Sequence, residues 1–507
     1  MTHLPGPHGA RRVHAGAALR MSCAILLIVA VACGYRSPAP GDSSPLAVTI
    51  GLTSDAVDVR PLVRTLTTLL LVGTGSDGRP TPGLLQSWTL SPDGRRWEFT
   101  VLPDVRRHDG EAVTAESVAA LIRDQVGYDP LAGLIDIVRI EAIDRTRLRI
   151  DLREPSSLLL EALTLTRGVP AGAFASDAVN VGATSSPTLS AYRASGRGPT
   201  SVDRVVFRRY DSQRAAWSAL MRGEVDLLHE VSVHARPFLE RTPGIEVRPF
   251  LRPFVITLGL NVRHPALRHR DVRLALNHAV DRQELLAQDF AGHGLPAATH
   301  VWPRHWASDA SMQPHTFDPA LARRLLEASG LRMATRDDGP PSRMRLTCLV
   351  LDDMQRLERV ALRVQRAYQA IGVNLEFETV SHEALGERLQ TGRFDTFLLP
   401  VMAGYGPTGL YHLWGRHTPD RSFDHGYDVA APAAEALRRA HTDEQLQASL
   451  QALQHVLYED PPAVFLIWDE AARAVGRRFI VPPIPGRDIL SSLAQWRPRT
   501  SPDGAGQ

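Results

Sequence analysis

The apolar positions of this chain switch between two periods, most clearly between residues 345 and 401. An apolar run at 345–351 predicts a strand. Leu357, Val360, Ala361, Val364, Tyr368 and Ile371 then recur at helical spacing. Across Gly372 the period drops to two, with Val373, Leu375 and Phe377 alternating with Asn374, Glu376 and Glu378. A helix at 381–390 and a strand at 394–401 complete a βαβαβ run. Such a run predicts a mainly parallel sheet covered by helices.

The same reading extends in both directions. Residues 46–50 and 255–261 are apolar strands, and 202–228 read as strand, helix and short strand. Asp281 with Glu284 three residues on starts a helix in the manner of a capping box. Asp318 at a cap, Pro319 at the first turn and Gly330 just past the end bound another. A long helix at 442–458 precedes a strand at 463–468. Residues 82–121 form one unit: a Trp-ending segment, the turn Ser91-Pro92-Asp93-Gly94, a strand at 96–101, a loop ending His108-Asp109-Gly110, and a helix capped by Thr114.

In order and wording this unit resembles the extracytoplasmic solute-binding proteins of family 5, the dipeptide-, oligopeptide- and nickel-binding receptors of ABC importers. The resemblance continues through successive segments from about residue 46 to 495, including the strand–helix–Gly223-Glu224-Val225-Asp226 arrangement. It implies an α/β, two-lobed periplasmic-binding-protein-like fold (type II, large cluster with an extra subdomain) with a cleft between the lobes. On that pattern residues 46–255 form lobe I, with an inserted subdomain at about 80–200. Residues 256–465 form lobe II, and 466–500 return to lobe I. The implied partners are a small organic solute, peptide-like among others, and an ABC permease and ATPase complex.

The chain departs from the family pattern in two places. Receptors of peptides carry an Asp in an Asp-Pro context where this chain has Gly406-Pro407, and no acid occurs between Phe397 and Trp414. A desolvated ammonium without a counter-charge is costly, which weakens a standard peptide-receptor assignment. Between Arg167 and Val202 the usual Gly-Thr-Gly-Pro-Tyr phrase is missing, so this connection reads as remodelled.

The N-terminus carries an export signal. Arg11, Arg12 and Arg20 precede an apolar run ending Ala30-Val31-Ala32-Cys33. About twelve helical residues span roughly 18 Å, short of the ~30 Å hydrocarbon core, so 1–33 reads as a signal peptide rather than a membrane span. Ordinary cleavage after Ala32 and lipidation of Cys33 compete at the same bond, and translation from Met21 instead of Met1 stays open. Residues 34–45 read as a flexible tether. The expected location is extracytoplasmic: the periplasm or the outer face of the cell membrane, with a lipid anchor if Cys33 is modified.

Composition removes several function classes. The chain of 507 residues is 44% hydrophobic and 22% charged with net charge +2, and its 57 basic residues are all arginine, spread along the sequence. No basic run with interleaved aromatics points to nucleic acid. Gly73-Thr74-Gly75-Ser76-Asp77-Gly78 matches G-x-G-x-x-G, but Arg79-Pro80-Thr81-Pro82 cannot open the helix a dinucleotide needs, so it reads as a turn. His229 and His234 stand five apart, not the four of a zinc-protease helix. His412, His417, Asp420, Asp424 and His425 are weighed as a metal or metal-chelate cluster against a solvated loop. Cys348 in an apolar strand reads as core. No catalytic set, cofactor or metal site is therefore predicted.

The best ligand segment is 400–414, which follows a parallel strand at its carboxyl end. Tyr405, Tyr411 and Trp414 offer apolar faces with polar tips. Thr53, Ser54 and Asn261, at strand ends facing the expected cleft, complete the ligand-binding set. Alternatives to a transport receptor are a metal-chelate (nickel-type) receptor and an exported scaffold or sensor that keeps the fold without transport.

Overall fold

Two strands of 16 and 14 residues, Ile245–Leu260 and Ala463–Gly476, run antiparallel through the middle of an 11-stranded sheet. The computed structural model describes residues 45–53, 57–128, 133–178, 180–196, 200–336, 339–415 and 423–499. Cys33 with the whole signal and tether, Ser54, His417 and Asp420 lie outside them.

On one flank Ala463–Gly476 pairs with Leu227–Leu228, and the sheet continues through Ala47–Leu52, Arg204–Arg209, Thr188–Ala191 and Phe174–Ser176. On the other flank Ile245–Leu260 pairs with Thr396–Met402, followed by Met344–Leu351 and Val373–Val380. The last three are parallel to one another, as the alternating periods require. Each flank has its own core. Val48, Ile50, Val205, Phe207, Leu493 and Trp496 pack together in the first lobe. Val272, Leu276, Val360, Val364, Leu346 and Leu375 do so in the second.

Sequence suggested short strands at 255–261 and 463–468, and two lobes joined by two crossings. In the structure both strands are longer, and the pair adjoins Leu227–Leu228 near one end and Thr396–Met402 near the other. Pro249 and Pro253 hide this in the sequence, because proline removes a ladder donor. Pro253 falls at an irregularity, where the register with Ala463–Gly476 shifts between Leu251 and Val255, while Pro249 stays in register opposite Ala472.

The subdomain is a four-stranded antiparallel sheet formed by Leu85–Leu90, Arg96–Val101, Arg147–Leu152 and Ile137–Ala142, in that spatial order. The helix Ala115–Tyr128 closes its core over Trp97, Phe99, Leu148 and Ile150. Thr114 caps that helix reciprocally: the Ser117 N–H donates to Thr114 Oγ1 at 3.2 Å, and the Thr114 N–H donates to Ser117 Oγ at 2.9 Å. The segment that read as remodelled supplies the edge strand Phe174–Ser176 and its neighbour Thr188–Ala191. No helix among the described residues is long and apolar enough to cross a membrane.

Candidate functional site

The bulge in Ile245–Leu260 positions the segment that follows Thr396–Met402. The Pro253 carbonyl accepts the N–H groups of Ala403 and Gly404 at 2.9 and 3.3 Å. Gly404 has φ +79°, a left-handed conformation that an L side chain rarely adopts. The turn swings Tyr405 edge-on to Trp302, with ring centroids 4.9 Å apart, and Trp302 in turn meets Trp468 at 5.3 Å. Trp302 lies on a segment hung from the long strand, where the Ala297 N–H donates to the Leu466 carbonyl at 2.9 Å.

From the first lobe, the Arg487 guanidinium stacks over the Tyr405 ring, 3.6 Å from its centroid. Ile489, Leu490, Leu493 and Trp496, just downstream of Arg487, are buried in the first-lobe core. Burial lowers the Arg487 guanidinium and raises the Tyr405 phenol from their usual values. Neighbouring Asp488 grips Arg473 through both carboxylate oxygens, at 3.0 and 2.5 Å, and accepts the Leu490 N–H at 3.1 Å. At the bulge, Asp469 pairs with Arg252 at 3.2 Å and Arg356 at 3.0 Å, while Glu230 takes the other arm of Arg252 at 2.9 Å. His229 is held neutral, well below its usual value, first by burial and then by Arg473 and Arg252.

The subdomain also meets the second lobe. Gly78, the last glycine of the G-x-G-x-x-G match, has φ +83° at a hairpin tip. A Cβ there would fall 2.5 Å from the His305 ring and 2.7 Å from the Tyr405 carbonyl oxygen, so the glycine serves close approach. Arg79 lies 3.7 Å over the Trp306 ring and pairs with Asp443 at 2.9 Å. Buried Glu161, on the helix Leu158–Leu165, accepts the Thr408 N–H and hydroxyl at 3.3 and 3.4 Å, with His305 Nε2 3.8 Å away. Its carboxylate therefore stands against Gly406 and Thr408, the stretch in which the chain itself has no acid.

The predicted residues fall in different places. Thr53 is buried just past the end of Ala47–Leu52. The Asn261 amide donates to the carbonyls of Gly392 and Phe394 at 3.0 and 2.7 Å, and its oxygen accepts the Arg263 N–H at 3.1 Å. The Tyr411 hydroxyl donates to Glu435 at 3.3 Å. Trp414 is 4% exposed and packs among His300, His425, Tyr427 and Phe465. Both ring nitrogens of His425 are engaged, with the Leu413 carbonyl and the Tyr427 N–H, and Asp424 pairs with Arg263. Among the described residues no group of three His, Cys, Asp or Glu is placed to hold a metal ion.

Sequence reasoning passed over Glu161, Trp302 and Arg487. A lone acid in Leu158-Leu159-Leu160-Glu161-Ala162-Leu163 is a legible signal, since an acid in an apolar helix needs a partner. Arg487, one arginine among many, had none.

A sheet shared by two lobes, with long strands as the joint and polar groups meeting across the gap, defines a two-lobed binding protein. Residues 79–419 match the model of the bacterial extracellular solute-binding proteins, family 5 (middle part), and the chain belongs to that family. It is 25% identical over 364 residues to the nickel-binding periplasmic protein of Escherichia coli K12, covering 64% of this chain and 68% of that one. It is 23% identical over 424 residues to the glutathione-binding protein GsiB of the same strain, covering 77% and 81%. The structure of NikA from Brucella suis in complex with Fe(III)-EDTA superposes with a TM-score of 0.74 at 21% identity, covering 89% of this chain and 100% of that one.

Proposed function

We propose that this chain is the solute-binding component of an ABC importer. It captures a small organic solute between its lobes outside the cytoplasm and presents it to a membrane permease. The observation that carries this reading is the meeting of Arg487, Tyr405 and Trp302 across the joint formed by the two long strands. No bond need be made or broken: a solute that prefers the closed form shifts the hinge equilibrium by its differential affinity.

Lobe I at 46–255, lobe II at 256–465 and a return at 466–500 are the division we adopt. Thr53, Ser54, Asn261, Tyr405, Tyr411 and Trp414 are kept as contacts to test, with Tyr405 first because it reaches the other lobe. Anchoring through a lipid on Cys33 belongs to the same proposal, and intact-mass measurement of membrane-extracted protein checks it. A nickel-type chelate as the solute is a second reading, favoured by the nickel-binding relative.

The test is calorimetric titration with peptides, sugars and nickel–histidine, alongside X-ray scattering to detect closure. A micromolar binder that compacts the protein is expected. Heatless titrations and an unchanged scattering profile across the whole panel would overturn the reading.

A further inference from the structure

The first strand, Ala47–Leu52, enters the fold beside a small hairpin from the other end of the chain. Phe479–Ile480 pairs antiparallel with Arg497–Pro498. The Arg499 N–H and Nε donate to the carbonyls of Arg478 and Arg477 at 2.9 and 3.1 Å. Arg478 reaches back to donate to the Ala47 carbonyl. Arg204 stands opposite Ala47 in the sheet, and its N–H donates to the Leu46 carbonyl at 3.2 Å. The hairpin is fixed in place, because Phe479 and Trp496 are buried in the first-lobe core with ring centroids 6.0 Å apart.

The solvent side of this hairpin is basic. Arg204, Arg477, Arg478, Arg497 and Arg499 are exposed, and so is Ile480, whose cross-strand neighbour is Arg497. Exposed arginines elsewhere commonly meet an acid, as Arg60 meets Asp58, Arg147 meets Asp144 and Arg222 meets Glu224. Here only Arg478 has a carboxylate within ion-pair distance among the described residues, Asp226 at 3.4 Å. Asp203, the other acid at this place, accepts the Leu46 N–H at 2.8 Å. Four guanidinium groups without a carboxylate are left around one exposed apolar side chain.

Twelve residues, 34–45, separate Cys33 from the described fold, and fully extended they span at most ~40 Å. A compact body of this size is roughly 60 Å across. A lipid on Cys33 therefore keeps the face where the chain enters, and this patch with it, nearer the bilayer than the far side of the molecule. Arginine suits that place: its planar head pairs with phosphate oxygens while its stem, like Ile480, rests on the apolar boundary below the headgroups.

Resting on the Cys33 anchoring proposed above, we propose that Arg204, Arg477, Arg497 and Arg499 with Ile480 form a contact surface for anionic phospholipid headgroups. The surface holds the first lobe of the anchored receptor against the membrane. It goes beyond the receptor reading and is independent of which solute is carried.

The experiment uses the Cys33→Ser chain, which carries no lipid on that residue, sedimented with two kinds of vesicle. One is phosphatidylcholine alone, and the other is equal parts phosphatidylcholine and phosphatidylglycerol. At low salt the protein should partition at least tenfold more strongly to the anionic vesicles, and high salt should release it. Arg477→Gln, Arg497→Gln and Arg499→Gln together should abolish the preference. Ile480→Glu, which keeps every arginine, should weaken it severalfold. Arg324→Gln, Arg359→Gln and Arg366→Gln together remove the same charge from exposed positions of the second lobe and should leave the preference within about twofold. Equal binding to both vesicles, no binding to either, or a second-lobe variant that loses as much as the hairpin variant overturns the surface. If membrane-extracted protein shows no lipid on Cys33 while the Cys33→Ser chain still prefers anionic vesicles, the anchor falls and the surface stands. If the lipid is found and the vesicle preference is not, the anchor stands and the surface falls.

Discussion

The Arg438 guanidinium, on the helix Ala431–Arg439 of the second lobe, is buried against the carboxylate of Asp136 in the subdomain. Glu435 takes its remaining arm at 2.5 Å and accepts the Tyr411 hydroxyl at 3.3 Å. A buried pair of this kind gains little over a well-packed apolar pair, but removing one partner strands the other. Arg438→Ala or Asp136→Ala should therefore cost about 3–5 kcal/mol, and the double substitution Asp136→Leu with Arg438→Met should recover most of it. Urea unfolding measures this, and single variants as stable as the wild type would refute it.

Trp414 and Tyr405 sit nine residues apart in the segment chosen from sequence, yet their surroundings differ. Trp414 is enclosed by His300, Phe465 and Tyr427, so Trp414→Ala should lose about 3–5 kcal/mol of stability. Tyr405 is half-buried at the lobe boundary, so Tyr405→Leu should change melting little and weaken ligand-driven closure. Thermal melts paired with scattering separate the two. A Trp414 variant that melts like the wild type would place that ring outside the core.

The fold was legible wherever local rules and packing agree. The period change across Gly372, the Asp318 cap and the turn at 91–94 are local signals, and each corresponds to an element in the structure. The length of Ile245–Leu260 was not legible, because Pro249 and Pro253 each remove a ladder donor, and only the structure shows Pro249 in register and Pro253 at the bulge. The candidate site was half legible. Strand-end position and aromatic content pointed to Tyr405. Arg487 is 82 residues further on and meets it only through the fold. Trp414 and Asn261 carry the same chemistry as ligand groups, and only burial and hydrogen bonding show what holds them here.

Acid should weaken the second lobe through His300. Its Nε2 shares a 2.7 Å hydrogen bond with Thr257 Oγ1, and burial pulls the imidazole down to about 3. Unfolded, it titrates near about 6.5. Above that pH neither state binds the proton and the folded state carries no penalty. As pH falls from about 6.5 toward about 3 the unfolded chain alone takes it up, so stability declines across that window. His300→Gln keeps a hydrogen-bonding group and removes the titration. At about 1.4 kcal/mol per pKa unit, the stability gap between pH 7 and pH 4 should shrink by up to ~3 kcal/mol in this variant. Urea midpoints at the two pH values test it, and an unchanged gap would assign the acid sensitivity elsewhere.

Gly406 faces Glu161 across the boundary between the second lobe and the subdomain. A Cβ at Gly406 would fall 2.6 Å from Glu161 Oε2, closer than real contacts allow. Gly406→Ala should therefore wedge the contact by which Glu161 accepts the Thr408 N–H and hydroxyl. Opening that parts Gly406 from Glu161 would relieve the wedge, so the hinge equilibrium should move that way, and any solute that needs closure should bind at least tenfold more weakly. Glu161→Ala alone removes the hydrogen bonds but also the obstacle. Combined with Gly406→Ala it should close more readily than Gly406→Ala alone, a non-additivity expected only of side chains in contact. X-ray scattering with and without solute reads this directly. Closure of Gly406→Ala identical to the wild type, or a double variant no better than the single, would mean that Glu161 and Gly406 do not meet when the lobes shut.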